Sequence, residues 1–328
     1  MKVKAENDKH IYVAIVMETY KGISLFLDIW TEWIQEGYGL FVFHFFDLRS
    51  VNEAFYKQIV DNHDYILYSV HNNKTTRKFL ALCENVDMGC FEHDLMGIRD
   101  DSYRHKNTKH FFYADKYHVK NAHPNIKDKI VLCDWWKGDI EGIERKKNHV
   151  VVFDEFFGFP IYIKSHDMHR IPTIAICKYL HENGFVPHLK CGVKRYKNIP
   201  DYIIQHTCSR GTIEVLRECE FSIGCEGGLN VESLRYGCKP FLICHNDDSV
   251  VQRIDEWHTK VHFKVASPDK NHLMKLPLTW LPGVTKKIEG TKSFIERIKE
   301  PYLVDKSEYF YDIKKTFVQT LKETLLKE

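Results

Sequence analysis

Glu220–His245 reads EFSIGCEGGLNVESLRYGCKPFLICH. Phe221–Gly224 is a short apolar run of strand type. Cys225–Leu229 follows as a tight turn holding two adjacent glycines, which accept backbone angles that other residues resist. Asn230 or its neighbour can cap a helix that runs through Ser233 to Tyr236. Gly237 stands where a helix end favours a left-handed residue, and Pro240 comes just after it. Phe241–Cys244 is a second buried strand. The order strand, Gly-rich turn, helix, strand is one βαβ unit. The N-terminus of such a helix can hold an anion on its free N–H groups.

Outward from this stretch, the pattern repeats. Ile11–Met17, Leu40–Phe46 and Tyr65–Val70 are apolar strands, separated by amphipathic segments at Ile23–Gln35 and Val51–Val60 and followed by one at Thr75–Cys83. Phe111–Ala114 and Lys129–Asp134 read as the last strands of a first half. His149–Phe153, Val186–Lys190 and Tyr202–Gln205 begin a second half, with helices at Ile171–Glu182 and Ile213–Cys219. Strand–helix alternation predicts parallel sheets with helices on both faces and right-handed crossovers. Residues 276–299 read as loops around short elements, and Ser307–Lys327 as one terminal amphipathic helix.

Composition narrows the classes. The chain has 328 residues, enough for two domains, and its 44% hydrophobic and 28% charged residues are ordinary for a globular protein. A net charge of +2 does not announce a nucleic-acid binder. Ten cysteines without a CxxC pair read as reduced, buried thiols, and with no leader sequence they predict a cytoplasmic protein. No apolar run reaches bilayer length. Nineteen histidines include no HExxH motif, so no metal is expected.

The order E-G-G-L, E-S, G, P between two strands resembles the carboxyl-terminal domain of nucleotide-sugar glycosyltransferases of the GT-B fold. The succession of elements over residues 185–245 follows that domain too, although the interval between Glu226 and Glu232 is shorter than the family's usual one. The resemblance implies two Rossmann-like α/β domains facing across a cleft. Expected boundaries are 1–145 for an acceptor-side domain, 146–305 for a nucleotide-sugar domain and 306–328 for a helix that returns to the first domain. It places the donor diphosphate on Gly227, Gly228, Leu229 and Asn230, with Ser233 on the same helix. Glu226 would face the sugar and Glu232 the ribose. Lys164 and Arg170 at the first helix of the second half, Ser209 and Arg210 in a polar loop, and Gly22 after the first strand complete the expected donor contacts.

His93 and Asp94 follow the apolar approach Cys90–Phe91 and resemble the His-Asp pair of phage DNA glucosyltransferases. That resemblance implies catalytic roles for both and a hydroxymethylated base in duplex DNA as acceptor, hence a bacteriophage protein acting in the host cytoplasm. Either side chain suits removal of an acceptor proton. Arg99, Arg104, Lys106, Arg145–Lys147, Lys194, Arg195 and Lys197 are the cations that a DNA groove could use, and Trp135 and Trp136 could stack on a sugar or base. The expected co-substrate is a UDP-sugar, with no further cofactor, and the protein is expected to be a monomer. A glycan, protein or small-molecule acceptor, a nucleotide-sugar epimerase and a non-catalytic nucleotide-binding module stay open.

Overall fold

The structure, a computed structural model, describes residues 10–17, 40–69, 74–91, 106–140, 142–153, 173–191, 198–207, 210–224, 228–243, 276–285, 287 and 290–327. Everything below concerns these residues. Chain contacts divide the protein into two units. The first is Met1–Gly138 with Tyr311–Glu328, and the second is Asp139–Phe310.

In the first unit, β1 (Ile11–Met17), β2 (Phe41–Asp47), β3 (Tyr65–Ser69), β4 (Asp87–Phe91), β5 (Thr108–Tyr113) and β6 (Ile130–Leu132) form a sheet. Its strand order is β2-β1-β3-β4-β5-β6, parallel throughout. Helices α1 (Glu53–Asp61), α2 (Lys74–Leu82) and α3 (Lys116–Asn121) join the strands. β1 and β3 are buried along nearly their whole length, which is why their sequences are continuous apolar runs rather than alternating ones. Tyr56 and Phe79 meet edge to face beneath the sheet, their ring centroids 5.6 Å apart.

The second unit carries β7 (Lys146–Phe153), β8 (Val186–Lys190), β9 (Ile204–His206), β10 (Cys219–Gly224), β11 (Lys239–Ile243), β12 (Leu278–Trp280) and β13 (Lys292–Ser293). They pair in parallel in the order β13-β12-β11-β10-β7-β8-β9. The helices are α4 (Thr173–Glu182), α5 (Arg210–Glu218), α6 (Gly228–Arg235) and the short α7 (Phe294–Arg297). Phe185, Phe221, Phe241 and Phe294 interlock in one core cluster, with centroid separations of 5.3 to 6.4 Å. The molecule is therefore a two-domain Rossmann-like α/β protein. No helix among the described residues is long and apolar enough to cross a membrane.

Two expectations need correction. The terminal helix, α8, spans only Phe317–Leu326. Thr316 starts it, its hydroxyl accepting from the Gln319 N–H while the Gln319 side chain accepts from the Thr316 N–H. That capping box fixes the helix start ten residues later than the apolar pattern implied. α8 belongs to the first unit, where Phe317 packs on Phe91 and Phe112. Residues 276–299, read as loops around short elements, do hold such elements, among them β12 and β13. Finally, Trp135 and Trp136 are not exposed for stacking on a ligand. Both are buried, with Trp136 against Phe91 and the Lys137 ammonium over both indole rings.

Candidate functional site

Each sheet has one place where its strand order reverses direction. In open parallel sheets, ligands bind beyond the carboxyl ends of the strands at that place, because the flanking loops there leave in opposite directions. In the second unit the reversal lies between β7 and β10. Residues 225–227, the centre of the Gly-rich turn, lie outside the described residues, but both of its ends are placed. Gly224 closes β10 and Gly228 opens α6.

The carboxamide of Asn230 lies against Gly224. A Cβ on Gly224 would stand 2.6 Å from Asn230 Oδ1 and 3.1 Å from both Asn230 Nδ2 and Phe153 Cδ2. Only glycine leaves room for that side chain, and Phe153 is the last residue of β7. The three residues thus meet at the switch point itself. Asn230 is 0% exposed, yet neither its Oδ1 nor its Nδ2 has a hydrogen-bond partner among the described residues. A buried amide without partners costs about 1–3 kcal/mol, so this position calls for an explanation.

The helix that carries Asn230 is firmly fastened. Ser222 Oγ in β10 donates to Ser233 Oγ at 2.9 Å, and Ser233 Oγ donates to the Leu229 carbonyl at 2.6 Å. At the far end, Gly237 takes φ +78°, its N–H donates to Leu234 O at 3.0 Å, and the Cys238 N–H donates to Ser233 O at 2.9 Å. This is the Schellman arrangement that the sequence implied. Arg145 clamps the same end, its guanidinium donating to the carbonyls of Cys219 and, at 2.6 Å, Tyr236. α6 cannot drift without breaking these contacts, which keeps Asn230 in place.

Of the residues expected at the site, Leu229, Asn230, Glu232 and Ser233 come together on α6, and Glu232 is buried. Gly228 and Arg210 open α6 and α5 respectively. Gly22, His93, Asp94, Lys164, Arg170, Ser209, Glu226 and Gly227 lie outside the described residues. One cation escaped the sequence reading because it ends an apolar strand. Lys190, buried at the carboxyl end of β8, donates from Nζ to the Cys191 carbonyl at 2.7 Å.

The cations proposed for a DNA groove are in part committed elsewhere. Arg145 is the clamp just described, Lys146 pairs with Glu218 at 2.6 Å, and Lys106 faces Glu84 at 3.6 Å. The seven described cysteines are buried. Burial pushes the thiols of Cys83 and Cys238 up to about 12, so neither is a ready nucleophile.

The first unit holds a buried His-Asp pair that the sequence reading passed over. Asp115, directly after β5, caps α3 by accepting from the His118 N–H at 2.8 Å. Its other oxygen meets His118 Nδ1, and the imidazole stacks on Tyr113 with centroids 5.5 Å apart. The D-x-x-H spacing at a helix start was the available signal.

No family model matches the chain, and no curated protein matches it. Solved structures do. The UDP-GlcNAc 2-epimerase from Methanocaldococcus jannaschii is 10% identical, with 97% of this chain and 100% of that one covered, at a TM-score of 0.46. The epimerase from Neisseria meningitidis bound to UDP-GlcNAc is also 10% identical, over 74% of this chain and 85% of that one, at 0.38. A glycosyltransferase from Rickettsia africae is 12% identical over 72% and 79%, at 0.36. Sugar-nucleotide epimerases and glycosyltransferases are thus both among the structures to which this chain is similar, at a level of likeness that leaves its function to be argued from its own residues.

Proposed function

We propose that the protein is a nucleotide-sugar enzyme that transfers the sugar of a UDP-linked donor to a hydroxyl acceptor. The observation that carries the donor half is Asn230, a fully buried carboxamide without a protein partner at the start of α6 and at the strand-order reversal. In this reading the diphosphate lies on the Gly227–Leu229 turn, where the first N–H groups of α6 have no partner within the helix. Glu226 faces the sugar and Glu232 the ribose hydroxyls. Lys164, Arg170, Ser209, Arg210 and Gly22 supply the remaining contacts to the donor. Negative charge grows on the leaving diphosphate as the sugar–phosphate bond breaks, and fixed N–H groups and cations stabilise it without reorganising.

His93 and Asp94 are the proposed acceptor-side pair, one taking the hydroxyl proton while the other orients it or balances charge on the sugar. A hydroxymethylated base in duplex DNA is the acceptor that their resemblance to phage enzymes implies, although Arg145, Lys146 and Lys106 lend it no basic groove. The test is incubation of the protein with UDP-glucose and UDP-GlcNAc, with and without hydroxymethylated DNA and small-molecule alcohols, followed by mass spectrometry. Transfer predicts release of UDP together with an acceptor heavier by one sugar residue. Sugar epimerised in the absence of any acceptor would replace this reading with an epimerase. Unconsumed donor in every mixture would leave a binding module.

A further inference from the structure

Away from the turn, on the sheet face covered by α5, polar side chains from four elements converge. His149 stands in the first half of β7, and His188 in the middle of β8. His149 Nδ1 and His188 Nε2 face each other at 2.7 Å. His188 directs its other nitrogen, Nδ1, at Nε2 of His206 on β9, 2.9 Å away. Glu218, the last residue of α5, closes the group, so that one ligand atom from each of His149, His188 and Glu218 lies within 4.8 Å of the others. Glu218 sits where α5 passes into β10, at the opposite end of that strand from Gly224. The cluster is therefore separate from the proposed donor site and does not depend on that reading.

We propose that His149, His188 and Glu218 form a binding site for one divalent transition-metal ion of the zinc or cobalt type. Two neutral imidazoles and a carboxylate suit such ions, whereas calcium and magnesium favour all-oxygen sets. His206 supplies what a metal-bound imidazole usually needs behind it. With His206 Nε2 accepting a hydrogen bond from His188 Nδ1–H, the His188 Nε2 lone pair points at His149. Burial and then His206 push His188 down to about 4, so its ring is neutral at pH 7. The ion would take the place of the single proton that His149 and His188 now share. Metal–nitrogen distances of about 2.0–2.1 Å ask the two rings to separate by roughly half an ångström.

Lys146 now holds the position of the cation. Its ammonium lies 2.6 Å from Glu218, but its side chain is 56% exposed and can turn to solvent. The Glu218 carboxylate, 20% exposed, is then open to an arriving ion. A bound ion would tie β7, β8 and α5 together through residues up to 69 positions apart in sequence, from 149 to 218. That distance is why local ligand spacing gave no sign of it.

The full-length protein, stripped with a chelator, is titrated with cobalt(II) followed by visible absorption, and with zinc(II) against a chromophoric competitor. One equivalent of either ion should bind. The cobalt form should show visible bands without intense near-ultraviolet thiolate-to-cobalt charge transfer, which separates this site from the ten cysteines. His149→Gln and Glu218→Gln should each weaken binding about tenfold or more. Lys146→Met removes only an exposed ammonium and should tighten binding several-fold. Failure to bind one equivalent at micromolar metal overturns the proposal, as do thiolate bands in the cobalt spectrum. So does an affinity that none of the three variants moves.

Discussion

Two buried polar side chains, one in each unit, are held in opposite ways. In the first unit the Asp115 carboxylate is satisfied by its neighbours. Asp115 and His118 hold each other, and the Tyr68 and Thr108 hydroxyls of β3 and β5 meet at 2.8 Å across the intervening β4. In the second unit, at the strand-order reversal, Asn230 is just as deeply buried and both of its carboxamide atoms lack a partner. Paired groups make an edge stable. A group kept without a partner at the place where α/β proteins bind ligands makes an edge receptive. The difference is the physical ground on which the donor is proposed to lie in the second unit.

The sharpest way to break this contrast is to remove one member of the satisfied pair. Asp115→Ala deletes the α3 cap and leaves a buried imidazole without its carboxylate. It should lower the stability of the first unit by about 3–5 kcal/mol, read as an earlier first transition in urea. If Asp115→Ala unfolds at the native midpoint, the pair is not structural, and the contrast disappears. Gly224→Ala should cost the second unit about 1–3 kcal/mol, because the new methyl group meets the Asn230 carboxamide and Phe153. Adding Asn230→Ala should restore most of that loss, since the colliding atoms are gone. Additive losses in the double variant would mean that Gly224 is needed for some other reason.

The smallest effect is one of pH. His63 accepts or donates through Nε2 to His44 Nδ1 at 2.8 Å, and burial lowers its pKa. The unfolded chain therefore takes up a proton first as pH falls through about 6.5. The first unit should lose stability below that pH and be unaffected above it. His63→Gln should flatten this slope in chemical denaturation curves measured between pH 7.5 and 5.5. The hydrogen bond that His63 Nδ1 donates to the Ile59 carbonyl opposes the shift and so limits its size.

Strands buried on both faces were the most legible part of the sequence. Ile11–Met17 and Val186–Lys190 have the boundaries that their apolar runs imply. The end of α6 was legible as well, because Gly237 and Pro240 leave few alternatives there. What stayed hidden depends on tertiary contact. β12 and β13 are three and two residues long, too short to carry a period. Tyr309 and Phe310 look like one face of a helix but are buried before α8 begins, and Thr316 alone sets the start. Trp135 and Trp136 stand beside a lysine and read as exposed, whereas their rings fill the core of the first unit. Within the site, the sequence put Asn230 on the right helix. It could not show that Gly224 is small in order to admit the Asn230 side chain, since that contact joins a strand end to the following helix.

Calorimetry with UDP on the native protein and on Asn230→Ala tests the central claim most directly. Native protein should bind UDP, and the variant about tenfold more weakly, a difference of about 1.4 kcal/mol. The ligand-free variant should be as stable as the native protein or more so, because the side chain it lacks has no protein partner to lose. Equal UDP affinity in the two proteins, or no UDP binding by the native one, would contradict the assignment of the donor to the second unit.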